Sequence, residues 1–204
     1  MDEIVKVCVL AGGKSERFGT DKRFFKIEGK FMIEIIVSKL KNFFDEIFIL
    51  CDDKKIMEKK LGILINNLNL KLMEDKIKYM GPLYAIYNFF NEVNYKNVLF
   101  FPVDMPFIPV EFIKFFLNLI EKFNFEKIIL ISEDRPLPIF LSFNFKEELG
   151  DYLKNCNSIK GFIRKLKLKN EYRIYFVKEE ELRIFGDYNF YLKNINKRED
   201  LYGS

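Results

Sequence analysis

Apolar residues gather into short runs in the first two thirds of the chain, separated by stretches with helical spacing. Residues 4–10 alternate and are rich in Val and Ile, which predicts a strand. Residues 46–51 and 97–101 are near-continuous apolar runs, as strands covered on both faces are. Residues 71–73 form a shorter run that ends in Glu74-Asp75. Between these runs, residues 31–43 place Ile35, Ile36 and Leu40 on one helical face. Residues 53–61 read as a helix, residues 81–92 as one opening near Pro82, and residues 110–123 as one following Pro109. Residues 127–132 and 139–141 predict further strands, with two or three short helices and strands after them. Residues 158–168 predict an amphipathic helix with a basic face. Regular alternation of strand and helix implies an α/β fold with a mostly parallel central sheet and helices on both faces, a three-layer arrangement. No repeat, low-complexity tract or linker interrupts the chain, so one domain over residues 1–204 is expected, with residues 132–204 adding strands and a lid-like region to the same sheet.

Composition narrows the chemistry. The chain is 49% apolar and 31% charged, with both signs mixed, as in a soluble globular protein. It contains no His, which removes Ser-His-Asp triads, imidazole acid–base catalysis and His metal ligands. The three thiols, Cys8, Cys51 and Cys156, form no C-x-x-C pair, so a Cys-built zinc site is not expected; sparse thiols suit a reducing, cytoplasmic compartment. A net charge of +4 without a Lys/Arg block suits a small phosphate-bearing ligand and gives no nucleic-acid signature. No apolar run reaches the roughly 18 residues of a membrane helix. Asp2, Glu3 and Lys6, at the first strand, do not read as a secretory leader.

The loop after the first strand carries the strongest signal: Leu10-Ala11-Gly12-Gly13-Lys14-Ser15-Glu16-Arg17-Phe18-Gly19-Thr20-Asp21-Lys22. Ligands of open parallel sheets bind beyond the carboxyl ends of the strands. A Gly pair there lets the backbone approach a ligand closely and tolerates positive φ. Successive N–H groups in such a loop form an anion-binding concavity, and Arg17 and Lys22 add the positive charge a phosphate chain requires. The spacing is not that of a P-loop, since five residues separate Gly13 from Gly19 and Thr20 follows; the dinucleotide fingerprint G-x-G-x-x-G is also absent. Asp104 lies just past the 97–101 strand, between Pro102 and Pro106, where a carboxylate would face the same crevice. Its natural partner is Mg²⁺, which takes one or two carboxylates plus substrate phosphates; the plainer alternative is a cap for the helix at Val110. Asp75 ends its strand as either a ligand contact or a solvated acidic turn.

The loop resembles the signature L-A-G-G-x-S-x-R-[MF]-G-x-D-K of the molybdenum cofactor guanylyltransferase family, which joins GMP to molybdopterin. The likeness continues through Met73-Glu74-Asp75 and Gly81-Pro82-Leu83, through Asp104-Met105-Pro106-Phe107-Ile108, and through Asn194-Ile195-Asn196 with Glu199-Asp200-Leu201. It therefore runs along nearly the whole chain. Two departures stand out: Leu50-Cys51-Asp52 replaces a second-strand end that often carries Asn, so Asp52 is a candidate substitute contact to the base. Lys197-Arg198 stands where Thr-Pro is usual.

The resemblance implies a Rossmann-like nucleotidyltransferase fold of the glycosyltransferase-A type. Residues 1–131 would form the nucleotide-binding part and residues 132–204 the substrate-side part. It implies transfer of GMP from GTP to the terminal phosphate of molybdopterin, with release of pyrophosphate and with Mg²⁺ as cofactor. Arg17, Lys22 and Asp104 would be catalytic, and Asp104 would hold the metal. Leu10, Ala11, Gly12, Gly13, Lys22, Asp75 and Asp104 would bind the nucleotide; Asn194 and Asn196 would bind the acceptor. Arg164 and Lys165 on the basic helix are candidates for the pterin phosphate. Molybdenum cofactor biosynthesis proteins and molybdoenzyme chaperones are the implied protein partners, and neither nucleic acid nor membrane is implied. The alternatives are a CTP-dependent or sugar-phosphate nucleotidyltransferase, or a non-catalytic nucleotide-binding module.

Overall fold

The computed structural model describes residues 5–13, 18–77, 79–169 and 174–201. Its centre is a seven-stranded sheet in the order β5-β4-β1-β6-β8-β7-β9. These strands are β1 (Lys6–Leu10), β4 (Ile47–Cys51), β5 (Leu70–Glu74), β6 (Asn97–Pro102), β7 (Ile128–Leu130), β8 (Ile139–Ser142) and β9 (Ile174–Phe176). β1 runs parallel to both β4 and β6, β4 to β5, and β7 to β9; β8 alone is antiparallel to its neighbours β6 and β7. Strands from before and after residue 132 thus share one sheet. A separate two-stranded hairpin, β2 (Lys26–Ile27) with β3 (Lys30–Phe31), turns through Glu28 and Gly29 at positive φ.

The alternating side chains of β1 explain why both faces are covered. Val7 and Val9 enter one apolar core with Ile36 and Leu40 of α1 (Met32–Leu40) and Phe112 and Phe116 of α5 (Val110–Lys122). Cys8 and Leu10 enter the opposite core with Phe89 of α4 (Pro82–Glu92) and Phe162 of α7 (Ile159–Leu168). The helix α2 (Lys54–Leu61) begins one residue later than expected because Asp53 is its cap, its carboxylate accepting from the Ile56 N–H at 2.9 Å. Ser158 likewise caps α7. The short α3 (Leu64–Asn67) and the helix α6 (Lys146–Leu153) carry no sequence signal strong enough to fix their bounds.

Two features position the site. The register pairs Leu10 with both Leu50 and Pro102, so β1, β4 and β6 end level with one another. The chain moves from β1 outward to β4 and β5, then returns to place β6 on the other flank of β1. That reversal opens a crevice beyond the carboxyl ends of β1 and β6. The C-terminal segment then closes back over it. The Ile195 N–H donates to the Asp104 carbonyl at 2.8 Å, and the Ile195 side chain is buried with Phe18 and Met32.

Candidate nucleotide site

The crevice is a cavity of about 670 Å³. Leu10, Gly12, Gly13, Lys22, Asp75, Asp104, Asn194 and Asn196 all line it, although they come from five segments of the chain. Gly81 and Pro82, at the start of α4, form another part of the wall; Gly81 sits at φ +91°, which a side chain disfavours, and Pro82 supplies the preset φ of the first turn. Tyr79 and Leu137 also line the cavity. Arg17 lies outside the described residues.

Lys22 and Asp104 meet across 82 positions of sequence. The Lys22 Nζ donates to Asp104 Oδ2 at 2.7 Å and to Asn196 Oδ1 at 3.2 Å. Asp104 Oδ1 is buried and has no hydrogen-bond partner among the described residues. The alternative role for Asp104 as a helix cap does not hold, because α5 is capped at Pro109 without any side-chain bond. Asn196 is itself fixed: its N–H and that of Lys197 donate to Asp200 Oδ2 at 2.9 and 3.0 Å.

Ala11 differs from the residues around it. It is fully buried and is not part of the cavity wall. Its N–H donates to the Leu50 carbonyl at 2.8 Å, and its carbonyl accepts from Arg23 Nη1 at 2.8 Å. The Leu10 carbonyl accepts from the Val103 N–H at 3.2 Å. The backbone of Leu10 and Ala11 therefore ties strand ends together, and Gly12 and then Gly13, the latter at φ +125°, carry the chain along the cavity.

Arg23 was not foreseen. It is 5% exposed and joins three segments. Its Nε and Nη2 donate to the two oxygens of Asp21 at 2.8 and 2.6 Å, and Nη1 donates to Asp52 Oδ1 at 2.5 Å as well as to Ala11. Burial alone would lower the guanidinium pKa; the hydrogen bonds and charges of Asp21 and Asp52 outweigh it and raise the value. Asp52 does not line the cavity: its carboxylate is buried against Arg23, which removes it as a substitute contact to a base. Arg164 and Lys165 of α7 do not line this cavity either. Arg164 and Lys167 pair with Glu133, and Lys165 lies over the Tyr152 ring.

Asp75 is the electrostatically unusual group. Desolvation, then the negative charges of Asp52, Glu92 and Glu74, push its carboxyl up to about 6. Its Oδ1 is buried without a partner among the described residues. A folded-state value above the unfolded one favours the fold while the group is protonated. That contribution is intact below about pH 4 and is lost as pH rises through about 6. Asp75→Asn should therefore stabilise the ligand-free protein at pH 7.5 by about 1–2 kcal/mol, discounted for partial solvent access. Melting curves from pH 4 to 8 check this. The gain should grow between pH 4 and 6 and then level off; a pH-independent difference would contradict the assignment.

A mostly parallel sheet whose switch-point crevice gathers a Gly-Gly loop, a Lys and a strand-end Asp has the backbone donors and the charge for a phosphate-bearing ligand. The family model of the MobA-like NTP transferase domain matches residues 7–170. The chain is 30% identical to the "probable molybdenum cofactor guanylyltransferase" of Natranaerobius thermophilus, over 98% of this chain and 95% of that one. It is 26% identical to the molybdenum cofactor guanylyltransferase of Syntrophotalea carbinolica, over 94% and 86%. Among solved structures, molybdopterin-guanine dinucleotide biosynthesis protein A from Archaeoglobus fulgidus superimposes with a TM-score of 0.74 at 24% identity, over 96% and 94% of the two chains. The chain belongs to the MobA-like NTP transferase family, as the resemblance of its motifs implies.

Proposed function

We propose that the chain transfers GMP from GTP to the terminal phosphate of molybdopterin, releasing pyrophosphate. The observation that carries this reading is the convergence of Gly12, Gly13, Lys22, Asp75 and Asp104 on one cavity in a chain of this family. The nucleotide would lie along Gly12–Gly13, with Asp75 facing the base. An ionised carboxylate accepts from adjacent N–H donors such as those of a guanine edge. Lys22 would hold the triphosphate. A second groove of about 550 Å³ shares Pro82, Leu137 and Asn194 with the cavity, and Arg135, Lys160 and Lys193 line it. That continuity suits an anionic acceptor placed beside the α-phosphate.

The acceptor phosphate is already anionic at neutral pH, so its attack requires no general base, which fits a chain without His. Catalysis then rests on alignment of the two phosphates and on fixed positive charge. Asp104 offers one buried oxygen with no partner among the described residues, which fits a Mg²⁺ ion that takes one or two carboxylates and otherwise substrate phosphates. Asp104 would hold the ion, whose chemistry is neutralisation of phosphate charge. Cys8, Cys51 and Cys156 are free thiols, and we place the protein in the cytoplasm.

The test is pyrophosphate release with Mg²⁺, molybdopterin and each of GTP, CTP and ATP. GTP should support turnover at least tenfold better than the other two, because a mismatched base leaves buried polar groups unpaired. A preference for CTP would move the chain to cytidylyl transfer. Release that does not depend on molybdopterin would remove it as the acceptor.

A further inference from the structure

We infer that Arg23 is the positioning residue that aims the Gly12 N–H into the nucleotide cavity. The inference rests on the nucleotide-binding reading of that cavity. The Ala11 carbonyl and the Gly12 N–H belong to one planar peptide unit, and in a trans peptide they point in opposite directions. The bond between Ala11 and Gly12 is not among the cis peptides of the chain. Arg23 Nη1 holds the Ala11 carbonyl at 2.8 Å on the buried side, and the Ala11 N–H is held by Leu50. With both sides of Ala11 fixed, the next peptide plane has one orientation. Gly12, which is exposed and lines the cavity, must present its N–H away from Arg23. The ligand of that N–H is an acceptor atom of a nucleotide, a base carbonyl or a phosphate oxygen.

The rest of the Arg23 network serves this contact. Asp21 grips the guanidinium through two parallel bonds, and Asp52 grips it from the end of β4. Rotation of the guanidinium, which would release the carbonyl, is thereby blocked from two directions. Without the Arg23 bond, a Gly12 peptide faces little steric resistance to flipping, since Gly tolerates both signs of φ. A flipped peptide would put a carbonyl oxygen, not an N–H, toward the bound anion. Lys cannot replace Arg here, because one ammonium cannot reach two carboxylates and a carbonyl in the same fork geometry.

The experiment separates positioning from stability. Removing Arg23 alone orphans the buried Asp52, so the main variant is the pair Arg23→Met with Asp52→Leu, an apolar replacement of a kind that often leaves stability unchanged or improved, while Asp21, its side chain 31% exposed, falls back on solvent. Calorimetric titration with GTP should show at least a tenfold loss of affinity in the pair variant while its melting temperature stays within a few degrees of wild type. Arg23→Lys should fall between the two. In the wild type, the amide resonance of Gly12 should shift on GTP addition more than that of Ala11. GTP affinity within twofold of wild type in the folded pair variant overturns the inference, as does a Gly12 amide indifferent to GTP. Wild-type protein that binds none of GTP, GDP or GMP overturns the nucleotide reading itself, and is distinguished by that result.

Discussion

Replacing Asp104 with Asn should leave the protein folded and lower turnover by at least two orders of magnitude. The Asp104 backbone carbonyl still anchors Ile195, and Asn fills the same volume between Val103 and Met105. What changes is the charge facing the cavity. In the native site Oδ2 is bonded to Lys22 while Oδ1 is buried with no partner among the described residues, an arrangement that leaves one anionic oxygen for a cation. Asn offers a weaker, neutral acceptor and turns an amide N–H₂ toward either the cation or the Lys22 ammonium. Loss of a group that stabilises transition-state charge costs roughly 10²–10³ in rate. Pyrophosphate release measured across a Mg²⁺ titration, beside a melting curve, checks the expectation. Partial recovery at high Mg²⁺ belongs to the metal role. Near-wild-type turnover with intact folding would take Asp104 out of the chemistry.

Asp104 also shows how far a sequence can be read. Its place after an apolar run and between two prolines is a local signal, and the strand-end rule turns it into a crevice residue. The Gly pair and Asp75 were legible for the same reason, since each follows a run whose pattern gives the strand away; Lys22, well past the end of β1 at the start of a short 3-10 turn, was legible as a cation of the loop motif. Asn194 and Asn196 were legible through motif alone, since nothing local places a C-terminal turn over the first strand. The physical cause is the Ile195 bond to Asp104 and its burial against Phe18 and Met32, contacts between residues far apart in the sequence. Arg23 was illegible. In sequence it follows Asp21-Lys22 in a charged loop where nothing marks it for burial, and Asp21, Asp52 and the Ala11 carbonyl make that burial tolerable. For that same reason Asp52 looked available for a base when it is already committed. The basic face of α7 was legible only in part: Arg164 and Lys167 pair with Glu133 at the surface, whereas Lys160 of the same helix lines the groove beside the cavity with Arg135 and Lys193.

Lys22→Ala should weaken GTP binding by about 1.5–3 kcal/mol, roughly 10- to 150-fold, the range for a hydrogen bond to a charged group. Lys22 is held at the cavity wall by Asp104 and Asn196, with its side chain 16% exposed. A cation there is partly desolvated and already oriented, so it contributes more than a free surface lysine would. The substitution also leaves Asp104 without its ammonium partner, so a modest fall in melting temperature accompanies it. Binding of guanosine, GMP and GTP to both proteins separates these effects. If Lys22 acts on phosphate, guanosine affinity stays within twofold, and the deficit grows from GMP to GTP as charge is added near the missing ammonium. Rising ionic strength should then narrow the gap between wild type and variant, because screening weakens the wild-type contact. An equal loss for guanosine and GTP would instead mean that Lys22 shapes the cavity through Asp104 and Asn196, and the triphosphate would have to be held by the Gly12–Gly13 backbone.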